Sequence, residues 1–127
     1  MPLVRIALRH GHDAAFGKKV GDIIYRQMQA TLNVPPKDNF QIVTSHGANE
    51  LIYDPTYLNI ARTDGVIFIQ ITLNEGRSVE LKKAFYQAVA DSLHGELGIR
   101  REDVLINLVE VKKENWSFGN GIAQYAQ

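Results

Sequence analysis

The chain has 127 residues, enough for a single domain with a real core, and its 14 basic and 14 acidic residues cancel. No basic cluster longer than a dipeptide stands outside loops, which argues against nucleic acid as the main partner, since phosphate binding needs a concentrated positive face. The absence of cysteine excludes disulfides, thiolate catalysis and zinc–thiolate sites, and no apolar run approaches the roughly 20 residues of a membrane span.

The opening residues lack the basic and apolar regions of a secretion signal, so the expected location is cytoplasmic. Pro2 comes first. Methionine before a small residue is normally trimmed, and loss of Met1 would leave Pro2 with a free secondary amine, a ring-locked titratable base. Val4, Ile6 and Leu8 then alternate as in a strand with one buried face. His10 and His12 have the spacing of a metal pair, but their place at a strand end and the lack of a carboxylate partner favour a structural role.

Asp13 is placed as the N-cap of a helix whose apolar stripe runs Phe16, Val20, Ile24, Met28, Leu32. Asp38 leads into a second alternating strand, Phe40 to Ser45. Residues 46–65 read as a loop with at most a short strand at Leu51 to Tyr53, because Asp54-Pro55 breaks any ladder there. His46, and His94 further on, are assigned surface or capping roles.

A shift of 65 positions then repeats the pattern. Val4, Ile6 and Leu8 fall on Ile69, Ile71 and Leu73; Gly11 falls on Gly76, and His12 on Arg77. Ser78 stands at an N-cap, and the stripe recurs as Leu81, Phe85, Val89, Leu93, Leu97. Asp38 falls on Asp103, read as a cap or strand-edge residue before the strand Val104 to Val111. Agreement over about 45 positions defines an internal repeat, 2–45 and 67–110, within one domain of residues 1–127.

Each unit reads as β-α-β, with a helix of about 20 residues, long enough for a right-handed crossover. Two units give an α/β (α+β) fold: a four-stranded sheet with two helices on one face and the first and third strands at its centre. Val4, Ile6, Leu8, Ile67, Ile69 and Ile71 face the helices. The other face, with Leu3, Arg5, Ala7, Phe68, Gln70 and Thr72, has no helix left to cover it, so another subunit must do so. After the last strand, Lys112-Lys113-Glu114 reads as a solvated turn. Trp116 and Phe118 follow, either as a turn packing on a neighbour or as a pocket wall. Gly119-Asn120-Gly121 lacks the strand-turn-helix context of a phosphate loop.

No nucleophile elbow or Ser-His-Asp order is present. The chemistry left is that of Pro2, Asp38, Glu75 and Arg77. An antiparallel arrangement of the two units would gather Pro2, Asp38 and Arg77 at one end of the sheet, as an amine, a carboxylate and a guanidinium around one pocket.

With these residues the chain resembles the tautomerase superfamily, the 4-oxalocrotonate tautomerase-like proteins, and within it the malonate semialdehyde decarboxylase branch. The segments that carry the likeness are the opening Pro-Leu-Val, VPPKDNFQIVTSH (34–46), TLNEGRSVELKKAFY (72–86), LGIRREDVLINLVE (97–110) and ENWSFGNG (114–121). The resemblance implies a homotrimer without cofactor or metal, acting on a small carboxylate substrate. It implies catalytic roles for Pro2, Asp38 and Arg77, with Arg77 also holding the substrate carboxylate, and a pocket wall of Trp116 and Phe118. Glu75, in the same substrate-binding region, stands where the branch has the first of two arginines.

The activity implied is keto–enol tautomerisation of a 2-oxo acid such as phenylenolpyruvate, decarboxylation of a 3-oxo acid like malonate semialdehyde, or both. Burial beside Arg77 would make the Pro2 amine a neutral base, whereas an ionised Asp38 would keep it a cationic acid. The alternative expectation, favoured by Glu75, is a non-catalytic trimeric binding module that keeps the fold.

Overall fold

The alternating apolar residues form strands where expected, and the computed structural model describes residues 2–127. The expected removal of Met1 concerns a residue outside the described ones. In chain order the elements are β1 (Leu3–Arg9), α1 (Phe16–Thr31), β2 (Phe40–His46), β3 (Ile67–Asn74), α2 (Val79–Leu97) and β4 (Val104–Val111). The sheet order is β2-β1-β3-β4. Each unit pairs its own strands in parallel, with Leu3 opposite Phe40 and Ile67 opposite Val104. The units meet antiparallel at the centre, where Leu3 lies opposite Thr72 and Ile6 opposite Ile69.

One sheet face and two helix stripes make the core. Val4, Ile6, Leu8, Ile67, Ile69 and Ile71 are buried under Val20, Ile24, Met28 and Leu32 of α1 and Phe85, Val89 and Leu93 of α2. Each such side chain contributes about 1.5–3 kcal/mol by leaving water. The second stripe is shorter than the repeat predicts: Leu81, in the first turn of α2, stays 37% exposed. Gly17 and Gly21 let α1 lie close on β2. A Cβ on Gly17 would stand 2.6 Å from Val43 Cγ1, and the Gly21 carbonyl accepts from Gln41 Nε2 at 2.8 Å. Between the helices, Gln27 donates to Ser92 at 2.9 Å and Arg26 pairs with Glu96.

The repeat extends into the turns. Gly11 and Gly76 follow their strands with φ of +116° and +118°, a region that favours glycine. Asn33 and Gly98 leave their helices left-handed, and the next residues, Val34 and Ile99, each donate a 3.3 Å bond back to Met28 and Leu93.

One expectation here needs correction. Asp13 does not cap α1. Its carboxylate accepts from Ala15 N–H at 3.0 Å in a turn ahead of the helix, and Ala15 occupies the N-cap position without a side-chain bond. Ser78 does cap α2, accepting from Leu81 N–H at 3.2 Å. Leu51 to Tyr53 forms no strand, in keeping with the loop read from Asp54-Pro55. Leu51 is buried and its carbonyl accepts from Arg9 Nη1, while Asp54 turns the chain by accepting from Thr56 N–H at 2.9 Å. That bond holds the Asp54 carboxyl below its usual range, and a 3₁₀ turn follows at Tyr57–Asn59.

Asp103 fastens this linker to the second unit. It is 2% exposed and accepts from Thr63 N–H at 2.7 Å and Thr63 Oγ1–H at 2.6 Å. Among the described residues no helix is long and apolar enough to cross a membrane. Asp103→Ala removes the acceptor shared by the Thr63 N–H and hydroxyl, and a hydrogen bond to a charged group contributes about 1.5–3 kcal/mol. Urea unfolding should therefore show a loss of roughly 2–4 kcal/mol, and a loss below about 0.5 kcal/mol would remove Asp103 from this role.

Candidate active site

Strand direction decides which residues share an end of the sheet. Pro2 is buried immediately before β1. Leu3 pairs with Phe40, so Asp38, two residues upstream of Phe40 and 7% exposed, enters at the same end. β3 runs the other way, with Leu3 opposite Thr72, so its exit through Asn74, Glu75, Gly76 and Arg77 arrives there too. The structure thus brings Pro2, Asp38 and Arg77 to one end, through the antiparallel seam expected from the repeat.

Arg77 is held by neutral oxygens. Its Nε–H donates to the Leu32 carbonyl at 3.0 Å and its Nη1 to the Asn74 carbonyl at 3.1 Å. Leu32 closes α1, where the helix dipole presents partial negative charge to a cation. None of the ion pairs between described residues involves Arg77. Its remaining N–H donors can meet a bidentate anion such as a carboxylate.

Glu110 supports the same turn from β4. It accepts from Lys82 Nζ at 2.8 Å, and this bond, followed by the Gly76 N–H and the Arg77 charge, holds its carboxyl below the usual range. Glu75 continues the ladder by donating its N–H to the Val111 carbonyl at 2.9 Å, and its side chain is exposed.

The aromatic tail is tied to β3 by one bond, from Trp116 Nε1–H to Asn74 Oδ1 at 2.7 Å. Phe118 stacks on Trp116 with centroids 5.3 Å apart, and Tyr125 meets Phe118 edge-on at 5.0 Å. Gln124 closes the loop, accepting from Phe118 N–H at 2.9 Å and donating to the Gly119 carbonyl at 3.0 Å. Both aromatics named from the sequence therefore lie together in this C-terminal segment, next to the end of β3. The histidines serve elsewhere: His10 bonds Ser45, His46 bonds Thr44, His94 bonds the Ile99 carbonyl, and His12 stacks on Phe16.

Asn74, Tyr125, Gln124 and the Leu32 carbonyl escaped the sequence reading. Asn74 had a signal: it ends the open-face series Phe68, Gln70, Thr72, Asn74 at the Pro2 end. The others depend on loop geometry and on a main-chain group.

The depressed Glu110 carboxyl stabilises the fold fully above the ordinary carboxylate range, and this contribution is lost as pH falls through its folded-state value. Glu110→Gln should therefore flatten the acid limb of stability between about pH 5 and 3, measured by urea unfolding; an unchanged limb would contradict the assignment.

A family model described as "Tautomerase enzyme" matches residues 38–119. Among curated proteins, the probable tautomerase YusQ of Bacillus subtilis (strain 168) is 44% identical over 124 residues, covering 98% of both chains. The probable tautomerase YrdN of the same organism is 35% identical over 125 residues, 98% of this chain and 96% of that one. Among solved structures, a malonate semialdehyde decarboxylase inhibited by 3-bromopropiolate superimposes with a TM-score of 0.90 at 31% identity, covering 97% of this chain and 93% of that one. A fused 4-OT, solved as a symmetric trimer, shares the fold with a TM-score of 0.79 at 22% identity over 98% of each chain.

Proposed function

We propose that this chain, which belongs to the tautomerase family and is an enzyme of that kind, uses Pro2, freed by removal of Met1, as general acid or base on a small 2-oxo or 3-oxo carboxylic acid. One observation carries the reading. The antiparallel β1–β3 seam gathers Pro2, the buried Asp38 and the carbonyl-held Arg77 at one end of the sheet. Arg77 binds the substrate carboxylate, Trp116 and Phe118 form the wall, and Asp38 assists the proline or a water. Exposed Glu75 places a negative charge at the rim of this site.

Burial and the Arg77 charge favour the neutral amine, and an ionised Asp38 favours the cation. As a base, the amine takes a proton from the carbon beside the substrate carbonyl and returns it elsewhere on the conjugated system, so keto and enol forms interconvert. As an acid, it donates toward the carbonyl oxygen of a 3-oxo acid while the carbon–carboxylate bond breaks and CO₂ leaves. The malonate semialdehyde decarboxylase likeness supports the second course, and the tautomerase relatives the first. A nitrogen NMR titration of the mature amine separates them: titration below neutrality selects base chemistry, and titration well above it selects acid chemistry.

Phenylenolpyruvate tautomerisation is the assay. Pro2→Ala should lower kcat by about 10²- to 10⁴-fold, the usual worth of a placed acid–base group, and a full rate would overturn the mechanism. Arg77→Ala should raise KM at least about tenfold, and an unchanged KM would put the carboxylate elsewhere.

We also infer a homotrimer. The helix-free face of the sheet bears Leu3, Ala7, Phe40, Ile42, Phe68 and Leu105, partly or largely exposed, which a second copy would cover. The trimeric fused 4-OT of the same fold supports this. Phe68→Lys should sediment as a monomer, and a persistent trimer would show that this face is not the interface.

A further inference from the structure

Asn74 does more than tie down the tail. An indole N–H only donates, so its 2.7 Å contact with Asn74 fixes the orientation of the amide. Oδ1 faces Trp116, and the NH₂ lies across the amide from it. That NH₂ has no hydrogen-bond partner among the described residues and is not sealed from solvent. The carbonyl of the same residue accepts from Arg77 Nη1 at 3.1 Å. One residue thus steadies the guanidinium with its main chain and presents a pair of oriented, unused donors with its side chain. The β1–β3 register sets this residue at the Pro2 end of the sheet.

An oxo acid has two features to recognise, a carboxylate and a carbonyl or enol oxygen. A guanidinium suits the first. A neutral donor suits the second, because it holds the oxygen without attracting another anion. With Glu75 exposed on the following position, the pair Arg77 and Asn74 fits a monocarboxylate better than a dianion.

We propose that Asn74 is a substrate-binding residue whose side-chain amide, fixed by Trp116, donates a hydrogen bond to an oxygen of the bound oxo acid beside Arg77. This rests on the site assignment above.

The test compares Asn74→Asp and Asn74→Ala with the parent enzyme, using phenylenolpyruvate. Asn74→Asp keeps an oxygen for the indole, so the Trp116 emission maximum and the thermal midpoint should hold, while the donor is lost. KM should rise about tenfold, the worth of one hydrogen bond, and kcat should stay within about threefold. Asn74→Ala should raise KM similarly and also shift the emission, because the indole loses its partner. KM within about twofold of the parent in either folded variant would overturn the proposal. The arginine variant separates the two levels of inference. Should Arg77→Ala leave KM unchanged, the site assignment itself fails; should it raise KM while both Asn74 variants do not, the inference about Asn74 alone is lost.

Discussion

The antiparallel pairing of β1 with β3 is the constraint on which the rest of this molecule depends. Within each β-α-β unit the strands must run parallel, because the helix crosses over between them. Parallel joining of the units at the centre would have set Pro2 and the exit of β3 at opposite ends. Antiparallel joining sets Leu3 against Thr72, so the start of β1 and the end of β3 coincide. The same seam carries the core: Val4 and Ile6 lie opposite Ile71 and Ile69, all fully or almost fully buried. Loss of the seam would cost the core and the site together.

The fold was legible because the repeat states it twice. Low identity mattered little, since the positions that recur are those that physics fixes: strand alternation, helix stripe, post-strand glycine, pre-strand aspartate. An error arose where one polar side chain had several local options. Asp13 has the composition of an N-cap, but the chain places it two residues too early, and an Asx-type bond to Ala15 satisfies it there. The linker stays a loop at Leu51 to Tyr53, as Asp54-Pro55 implies, since Asp54 binds Thr56 and turns the chain before a ladder can form. Of the site, the titratable residues were readable by type and register. Asn74 and the Leu32 carbonyl were not, because neither has a charge or motif to advertise it.

The repeat also shows where the two units part. Asp38 and Asp103 are equivalent and both are buried, yet their neighbours differ. Ahead of β3 runs the linker, whose Thr63 places both its N–H and its hydroxyl on Asp103 and makes that carboxylate structural. Ahead of β1 stands Pro2. The partners of His12 and Arg77 diverge likewise: His12 stacks on Phe16, whereas Arg77 reaches across to the C-terminal carbonyl of α1. Holding a guanidinium with carbonyls rather than a carboxylate keeps its full charge for a ligand. Glu110, which accepts from Lys82, steadies the turn without an ion pair to Arg77.

The face proposed for assembly and the residues proposed for chemistry share one strand. Phe68, Gln70, Thr72 and Asn74 alternate along the helix-free face of β3. Phe68 lies near the start of that strand, in a groove with Ala7, Ile42 and Leu105. Two pleats beyond Gln70, Asn74 holds Arg77 and Trp116. A strand is too stiff for its residues to shift independently over so short a distance, because each is fixed by ladder bonds to β1, β4 or both. A second subunit packed on the Phe68 end, as proposed, would therefore also set the pleat at Asn74. Leu105, opposite Phe68, would then bear on the proposed site as much as on the proposed interface.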